Sequence, residues 1–148
     1  MYKHILITLD GSARSEAVLP HAIGVAQAVG AELTLLRVVD AVNTDWSERG
    51  ALGKGTIDAG AQSLFVGHAQ RYLDHIAAPL RSSGIAVRTL VKQGAPARQI
   101  VDAARELGAD AIAMATHSRR GVNRLMFGSV AEEVLHSSSL PTLLIRAA

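Results

Sequence analysis

The segment that decides the fold is residues 96–115, PARQIVDAARELGADAIAMA, in which an amphipathic helix passes through one glycine into a short apolar strand. From Pro96 to Leu107 the apolar residues recur at helical spacing, so they share one face of the helix. Gly108 then supplies the left-handed residue that commonly ends a helix. The segment Asp110–Ala115 follows as the strand.

The same order of helix, glycine and apolar strand occurs twice earlier in the chain. Gly30 precedes the run Glu32–Val39, and Gly84 precedes the run Ala86–Val91. Strands that alternate with helices indicate right-handed crossovers between parallel neighbours. The repeat therefore predicts a parallel sheet.

We predict five strands and four helices, which form an open α/β sheet with helices on both faces, in a single domain of residues 1–148. The predicted strands are His4–Leu9, Glu32–Val39, Ala86–Val91, Asp110–Ala115 and Thr142–Arg146. The predicted helices are Ser12–Val29, Gln62–Ser83, one that starts at Pro96 and one that begins after Ser129.

Two features fit this arrangement poorly. Pro20 lies inside the first predicted helix, where it should remove a hydrogen bond and kink or break the helix. The connection Asp40–Gly60 is long for a compact domain, and such loops usually close over a site or move. We expect this one to be mobile.

The composition excludes several classes of protein. With 49% hydrophobic and 19% charged residues the chain is too apolar for intrinsic disorder, yet it has no run of 18 apolar residues that could span a membrane. It shows no signal-peptide pattern and has no cysteine, so we expect a cytoplasmic protein without disulfides. A net charge of +2 and 3% aromatic residues argue against nucleic acid as a partner.

Three loops could form a binding site, because ligands of open parallel sheets bind beyond the carboxyl ends of the strands, where the strand order reverses. These loops are Asp10–Ser12, Val38–Asp40 and Thr116–Ser129. The third is the richest in polar residues, reading THSRRGVNRLMFGS.

Gly128 and Ser129 open the last helix, whose first N–H groups suit an anion because they have no partner inside the helix. Ser129 and Glu132 also match the S-x-x-E capping box, in which the serine caps the helix and the glutamate bonds back to it. Both interpretations stay open, since a capped turn can still hold phosphate.

Charged residues in these loops also have two interpretations each. Asp10 could accept hydrogen bonds from a ribose or an adenine amino group, or Asp10 or Ser12 could cap the first helix. The cluster Arg119, Arg120 and Arg124 could neutralise phosphate, or it could be a solvated basic loop.

The sequence does not match the motifs of other kinds of functional site. The segment Gly50–Thr56 resembles a phosphate-binding P-loop, but its spacing is wrong and it does not follow the first strand. His68 and His75 share one face of the second helix without a third ligand, so we expect surface histidines rather than a metal site. No acid, base and nucleophile converge, which makes catalysis a weak hypothesis.

Three segments together resemble the universal stress protein family over nearly the whole chain. The first is Leu9–Ser12, reading LDGS, at the end of the first strand, and the second is Leu36–Asp40, reading LRVVD. The third comprises MATHSRRG at 114–121, GSVAE at 128–132 and LPTLLI at 140–145. The resemblance implies a five-stranded parallel sheet in the order 3-2-1-4-5, and a homodimer formed through the last strand, Thr142–Arg146.

The resemblance also implies a nucleotide site. The motif of ATP-binding members, G-x2-G-x9-G-[S/T], corresponds here to Ala115, Ser118, Gly128 and Ser129, so its distal half is intact and both leading glycines are replaced. Thr8, Asp10 and Val38 would hold the adenosine part of ATP. The remaining implied nucleotide-binding residues, on the phosphate side, are Ala115, Thr116, His117, Ser118, Arg119, Gly128, Ser129 and Val130.

Three functions remain open at this point. The first is a universal stress protein that binds ATP or a related adenine nucleotide, with or without Mg2+, as a regulatory ligand. The second is a dimeric stress-response interaction module that has lost nucleotide binding, which the replacements at Ala115 and Ser118 favour. The third is a slow nucleotide hydrolase or transferase that uses His117 or an arginine as its electrophilic group.

Overall fold

The computed structural model describes residues 1–40, 59–117 and 128–147. Five parallel strands form one sheet in the order β3-β2-β1-β4-β5, which confirms the predicted fold. The strands are β1 (His4–Thr8), β2 (Glu32–Val39), β3 (Val87–Gln93), β4 (Ala111–His117) and β5 (Thr142–Ala147). The helices are α1 (Leu19–Val29), α2 (Ala59–Ser82), α3 (Pro96–Leu107) and α4 (Ser129–Ser137), with a short 3-10 helix (Ser15–Val18) before α1.

Two apolar cores lie on opposite faces of the sheet, because successive side chains of a strand point to opposite faces. On one face Leu33, Leu35 and Ile7 pack with α1 and α2. On the other face Leu6 and Leu36 pack with α3 and α4. The sheet is therefore covered on both sides, as predicted.

Two glycines end helices as predicted. Gly30 and Gly108 follow α1 and α3 in the left-handed conformation, with φ of 72° and 65°, and their N–H groups bond to helical carbonyls. Glycine adopts this conformation without the steric cost that a Cβ would bring.

The predicted helix Ser12–Val29 is broken beside Pro20, which confirms the expected effect of this proline and corrects the helix bounds. The region predicted as one helix divides into the 3-10 helix and α1, and Pro20 is the second residue of α1. A proline there loses no helical hydrogen bond, because the first N–H groups of a helix have no partner within it. The expectation of mobility between Asp40 and Gly60 falls on residues 41–58, outside the described ranges.

Asp110 fastens the start of the chain to the loop before β4. Its Oδ2 accepts hydrogen bonds from the backbone N–H groups of Lys3, at 2.7 Å, and His4, at 2.9 Å. These two bonds, Lys3 first, lower the pKa of the Asp110 carboxyl below its ordinary value of 3.8.

Because the pKa of Asp110 is lower in the folded chain than in the unfolded chain, its charge stabilises the fold above pH 3.8. This stabilisation is lost as the pH falls through the folded-state pKa. We expect Asp110→Asn to lower the melting temperature at pH 7, and the difference from wild type to shrink below about pH 4. Thermal melts from pH 7 to pH 3 test this, with Glu133→Gln on the exposed side of α4 as the control. A difference that is constant with pH, or equal in the control, contradicts the prediction.

Candidate functional site

The strand order reverses between β1, which neighbours β2, and β4, which lies on the other side of β1. Asp10, Val38 and Thr116 lie at or just beyond the carboxyl ends of these strands. Thr8 ends β1 and is half-buried, and Val38 is partly buried against the core of α3 and α4. The fold therefore brings the predicted adenosine-binding residues to one edge of the sheet.

Thr116 connects the end of β4 to the beginning of α4. Thr116 is buried, with 7% of the residue exposed to solvent. Its Oγ1 accepts a hydrogen bond from the backbone N–H of Gly128 at 3.1 Å. The first turn of α4 is thereby held beside the reversal point. The intervening residues 118–127 are outside the described ranges, which include neither Ser118 nor Arg119, Arg120 and Arg124.

The predicted capping box at the start of α4 is wrong. Gly128, not Ser129, is the N-cap residue, and its carbonyl accepts the first helical bond, from the N–H of Glu132 at 3.0 Å. A capping box needs its acid three residues after the cap, and that position is Ala131 rather than Glu132. As a glycine, Gly128 has no side chain with which to cap the helix, and Ser129 is exposed.

Gly128 has an ordinary backbone conformation, with φ of −55° and ψ of 159°. Any L-residue can adopt this conformation. A Cβ built at Gly128 would meet no atom of the described residues within 4 Å. Neither the backbone nor the described packing therefore requires glycine here.

The loop after β1 is ordered by hydrogen bonds of its own. Asp10 is exposed, and its Oδ1 accepts from the N–H of Ser12 at 2.8 Å. Ser15 donates its N–H to Ser12 Oγ at 3.1 Å and its hydroxyl to the Ser12 carbonyl at 2.8 Å. Asp10 and Ser12 therefore bond within the loop and are not the N-cap residues suggested by the sequence, which are Arg14 for the 3-10 helix and Val18 for α1.

The other predicted site residues divide between described and undescribed positions. Ala115 in β4 packs against the core of α1 and α2, and Val130 in α4 packs against the opposite core. His117 is the last residue of β4, but its side chain is outside the description. The P-loop-like segment Gly50–Thr56 also lies outside the described ranges.

Sequence reasoning missed a cleft of about 610 Å³ between the end of β2 and α2. Arg37 lies in it, with its guanidinium 5.2 Å from the ring centre of Tyr72. The residues that line the cleft are Asp10, Arg37, Val38, Val39, Asp40, Phe65, His68 and Tyr72. The sequence did carry one signal for this cleft. Arg37 comes two residues after the buried Leu35 in β2, so the two side chains lie on the same face of the sheet.

Tyr72 is a residue of this cleft whose acidity is changed by its surroundings. Its hydroxyl is buried, with no hydrogen-bond partner among the described residues. Burial, followed by the charge of Glu16, raises the pKa of Tyr72 to about 12. The phenol is therefore neutral at physiological pH.

Metal ligands do not gather in the described ranges. No group of three or more His, Cys, Asp or Glu residues there could hold a metal ion. His68 and His75 are both exposed on α2, and His68 also borders the cleft. None of the described helices has the length and hydrophobicity that a membrane crossing requires.

Comparison with known proteins places this geometry in a family. A model described as the universal stress protein family matches residues 1–146. Universal stress protein MJ0531 of Methanocaldococcus jannaschii is 31% identical over 146 residues, which cover 99% of this chain and 83% of that protein.

Solved structures share the fold. The structure of MJ0577, from the same organism, superimposes with a TM-score of 0.80 at 26% identity and covers 100% of this chain and 98% of that one. A universal stress protein of Archaeoglobus fulgidus in complex with dAMP superimposes with a TM-score of 0.67 at 22% identity, covering 97% and 98% of the two chains.

Proposed function

The chain belongs to the universal stress protein family, and from that premise we propose that it binds ATP or a related adenine nucleotide as a regulatory ligand. The relative of known structure from Archaeoglobus fulgidus holds dAMP, which supports an adenine nucleotide as the class of ligand. The site would lie at the carboxyl edge of the sheet, between the loop that carries Asp10 and the first turn of α4.

The observation that carries this proposal is the glycine at the start of α4. The first N–H groups of a helix have no partner within it and carry the positive end of the helix dipole, so they favour a phosphate. Gly128 has no side chain that could occupy this turn, and the space beside its Cα is open among the described residues. A glycine that neither the backbone nor the described packing requires is explained if a phosphate approaches the main chain there.

The adenosine part would lie at the other end of the same edge. We propose that Asp10 accepts hydrogen bonds from the ribose or the adenine amino group, and that Thr8 and Val38 contact the base. Thr8 ends β1, Val38 is the last residue but one of neighbouring β2, and both are half-buried, so they present partly apolar surface at this end of the sheet.

The phosphates would face the segment from Ala115 to Arg119 and the residues Gly128, Ser129 and Val130. In this proposal Thr116 acts by holding Gly128, while His117, Ser118 and Arg119 supply donors to phosphate, with or without Mg2+. Ala115 and Ser118 replace the two leading glycines of the family's ATP motif. The affinity for ATP is therefore the decisive measurement.

We expect MgATP to bind with micromolar affinity, about −8 kcal/mol, and to raise the melting temperature because it binds the folded chain alone. Titration calorimetry and thermal shift with ATP, dAMP and GTP, each with and without Mg2+, measure affinity, base preference and metal dependence. Absence of both heat and thermal shift at millimolar adenine nucleotide would refute the proposal.

The second candidate function is a nucleotide-independent dimeric interaction module, and the two sheet edges favour a role for β5. The β3 edge carries two ion pairs, Arg88 with Glu32 at 3.1 Å and Lys92 with Glu106 at 2.8 Å. In β5 the sole charged residue is Arg146, and Leu143 is 36% exposed. An apolar edge strand pairs readily with another strand, whereas charges on an edge discourage pairing. We propose a homodimer through Thr142–Arg146, and a monomer in sedimentation at micromolar concentration would contradict it.

The two candidates separate on Ser118→Gly, which restores a leading glycine of the motif. Nucleotide binding in the variant alone assigns the natural chain to the interaction module, whereas binding by both chains supports the regulatory site. A cytoplasmic location, expected from the lack of cysteine, stays a prediction.

A further inference from the structure

Arg37 interrupts an apolar row on the face of β2 that contacts α1 and α2. Leu33 and Leu35 on this face are completely buried, and Arg37 is the next residue in the row. Its side chain is half-buried, and among the described residues it forms neither a hydrogen bond nor an ion pair.

The guanidinium of Arg37 lies between two surfaces that it contacts closely. On one side it lies over the ring of Tyr72 of α2, with 5.2 Å from Cζ to the ring centre. On the other side it packs on the backbone of Gly11, where a Cβ would lie 3.0 Å from both Cζ and Nη2. Gly11 has φ of 89°, so the loop turns sharply at this contact.

Gly11 is the residue after Asp10, and the loop from Asp10 to Ser15 is tied together by its own hydrogen bonds. The contact of Arg37 with Gly11 therefore fixes the position of the whole loop. Tyr72 is a stable platform for this contact, because its ring is held by α2 and its hydroxyl stays neutral at physiological pH. A neutral aromatic face attracts a guanidinium by a cation–π interaction.

We propose that Arg37 is a positioning residue that braces the Asp10 loop against α2 and so sets the affinity for the nucleoside end of the ligand. The role of Asp10 rests on the proposed function; the brace itself does not. The contact acts on the loop after β1 and leaves the first turn of α4 untouched. Arg37 variants should therefore weaken adenosine, AMP and ATP binding by the same factor.

The first experiment compares Arg37→Lys, which keeps the charge and loses the broad planar guanidinium, with Arg88→Lys, the same change on exposed β3. We expect about tenfold weaker binding of all three ligands for Arg37→Lys, and wild-type binding for Arg88→Lys. Tyr72→Leu, which removes the aromatic face, should weaken binding of all three ligands as Arg37→Lys does. Equal affinities in wild type and Arg37→Lys, or a loss confined to ATP, would overturn the inference.

A pair of glycine variants tests the contact from the other side. Gly11 and Gly84 have nearly the same φ, 89° and 85°, but a Cβ at Gly84 meets no described atom within 4 Å. Alanine should strain both positions by about 1 kcal/mol, and Gly11→Ala alone should also displace Arg37 and weaken nucleotide binding. Equal nucleotide affinity in the two variants contradicts the brace.

Amide hydrogen exchange of the ligand-free chain tests the contact of Arg37 with the loop without any nucleotide. It therefore tests the brace independently of the proposed function. The N–H groups of Asp10, Ser12 and Ser15 all donate within the loop, so they should exchange faster in Arg37→Lys than in wild type. Unchanged exchange overturns the brace even if nucleotide binds. Faster exchange in a chain that binds no adenine nucleotide refutes the proposed function and supports the brace.

Discussion

Replacing Gly128 by alanine should weaken ATP binding at least about tenfold, which is about 1.4 kcal/mol. The added methyl group would occupy the open space beside the first turn of α4 and push a phosphate away from the backbone N–H groups. A single hydrogen bond to a charged group contributes about 1.5–3 kcal/mol, so the loss of one suffices for this effect.

The stability of the ligand-free chain should hardly change in the same variant. The backbone at Gly128 is open to any L-residue, and a Cβ there meets no described atom within 4 Å. Alanine is a weaker N-cap than glycine but loses less entropy on folding, and the two effects offset to within about 1 kcal/mol. Binding and stability are thus separated at one residue.

Thermal melts without ligand and calorimetry with ATP and adenosine measure both quantities. Gly24→Ala is the matched control, because Gly24 lies in α1 and its Cβ would also meet no described atom within 4 Å. It should raise stability by up to about 1 kcal/mol and leave binding unchanged. Wild-type ATP affinity in Gly128→Ala would remove the main support for a phosphate at α4.

The fold was predictable because its main signals are local. Gly30 and Gly108 end their helices where the pattern predicted, the repeat predicted a parallel sheet, and the family resemblance implied the strand order that the structure has. The errors arose where one residue shifts a boundary. The predicted range Ser12–Val29 encloses Pro20, whereas α1 begins beside it, and the N-cap of α4 is Gly128 rather than Ser129.

The candidate site was predictable only in part, for a physical reason. Asp10 and Gly128 follow strands that meet at the reversal point of the sheet, so topology alone brings their surroundings together. The contact of Arg37 with Tyr72 and Gly11 joins three separate elements. Periodicity gives the face on which a side chain lies, but not the length of its reach or the neighbour that it meets.

Two different devices would therefore position the two ends of the nucleotide. A cation–π contact with α2 braces the loop at the adenosine end, and a buried hydroxyl fixes the first turn of α4 at the phosphate end. The contact at the adenosine end depends on the half-buried side chain of Arg37. Its loss should change nucleotide affinity with little effect on the free energy of unfolding. The hydrogen bond from Gly128 to Thr116 involves a buried side chain, so its loss should change both the nucleotide affinity and the free energy of unfolding.

Replacing Thr116 by valine should therefore lower stability by about 1–3 kcal/mol, because the N–H of Gly128 loses its acceptor while the shape of the side chain is kept. Thr116 is 7% exposed, and its Oγ1 accepts this N–H at 3.1 Å. Without this bond the first turn of α4 is free to shift, and ATP should bind about tenfold more weakly, with a smaller effect on adenosine.

Thr116→Ser is the matched control, because it keeps the hydroxyl and removes the methyl group instead. It should lose some packing energy and yet bind ATP like wild type, so that affinity follows the hydroxyl and stability follows both groups. Denaturant melts of the ligand-free chains and calorimetry with ATP provide the two measurements. If valine bound ATP as well as threonine while serine bound it less well, the hydrogen bond between Thr116 and Gly128 would have no part in placing the phosphates, since the affinity would then depend on the methyl group alone.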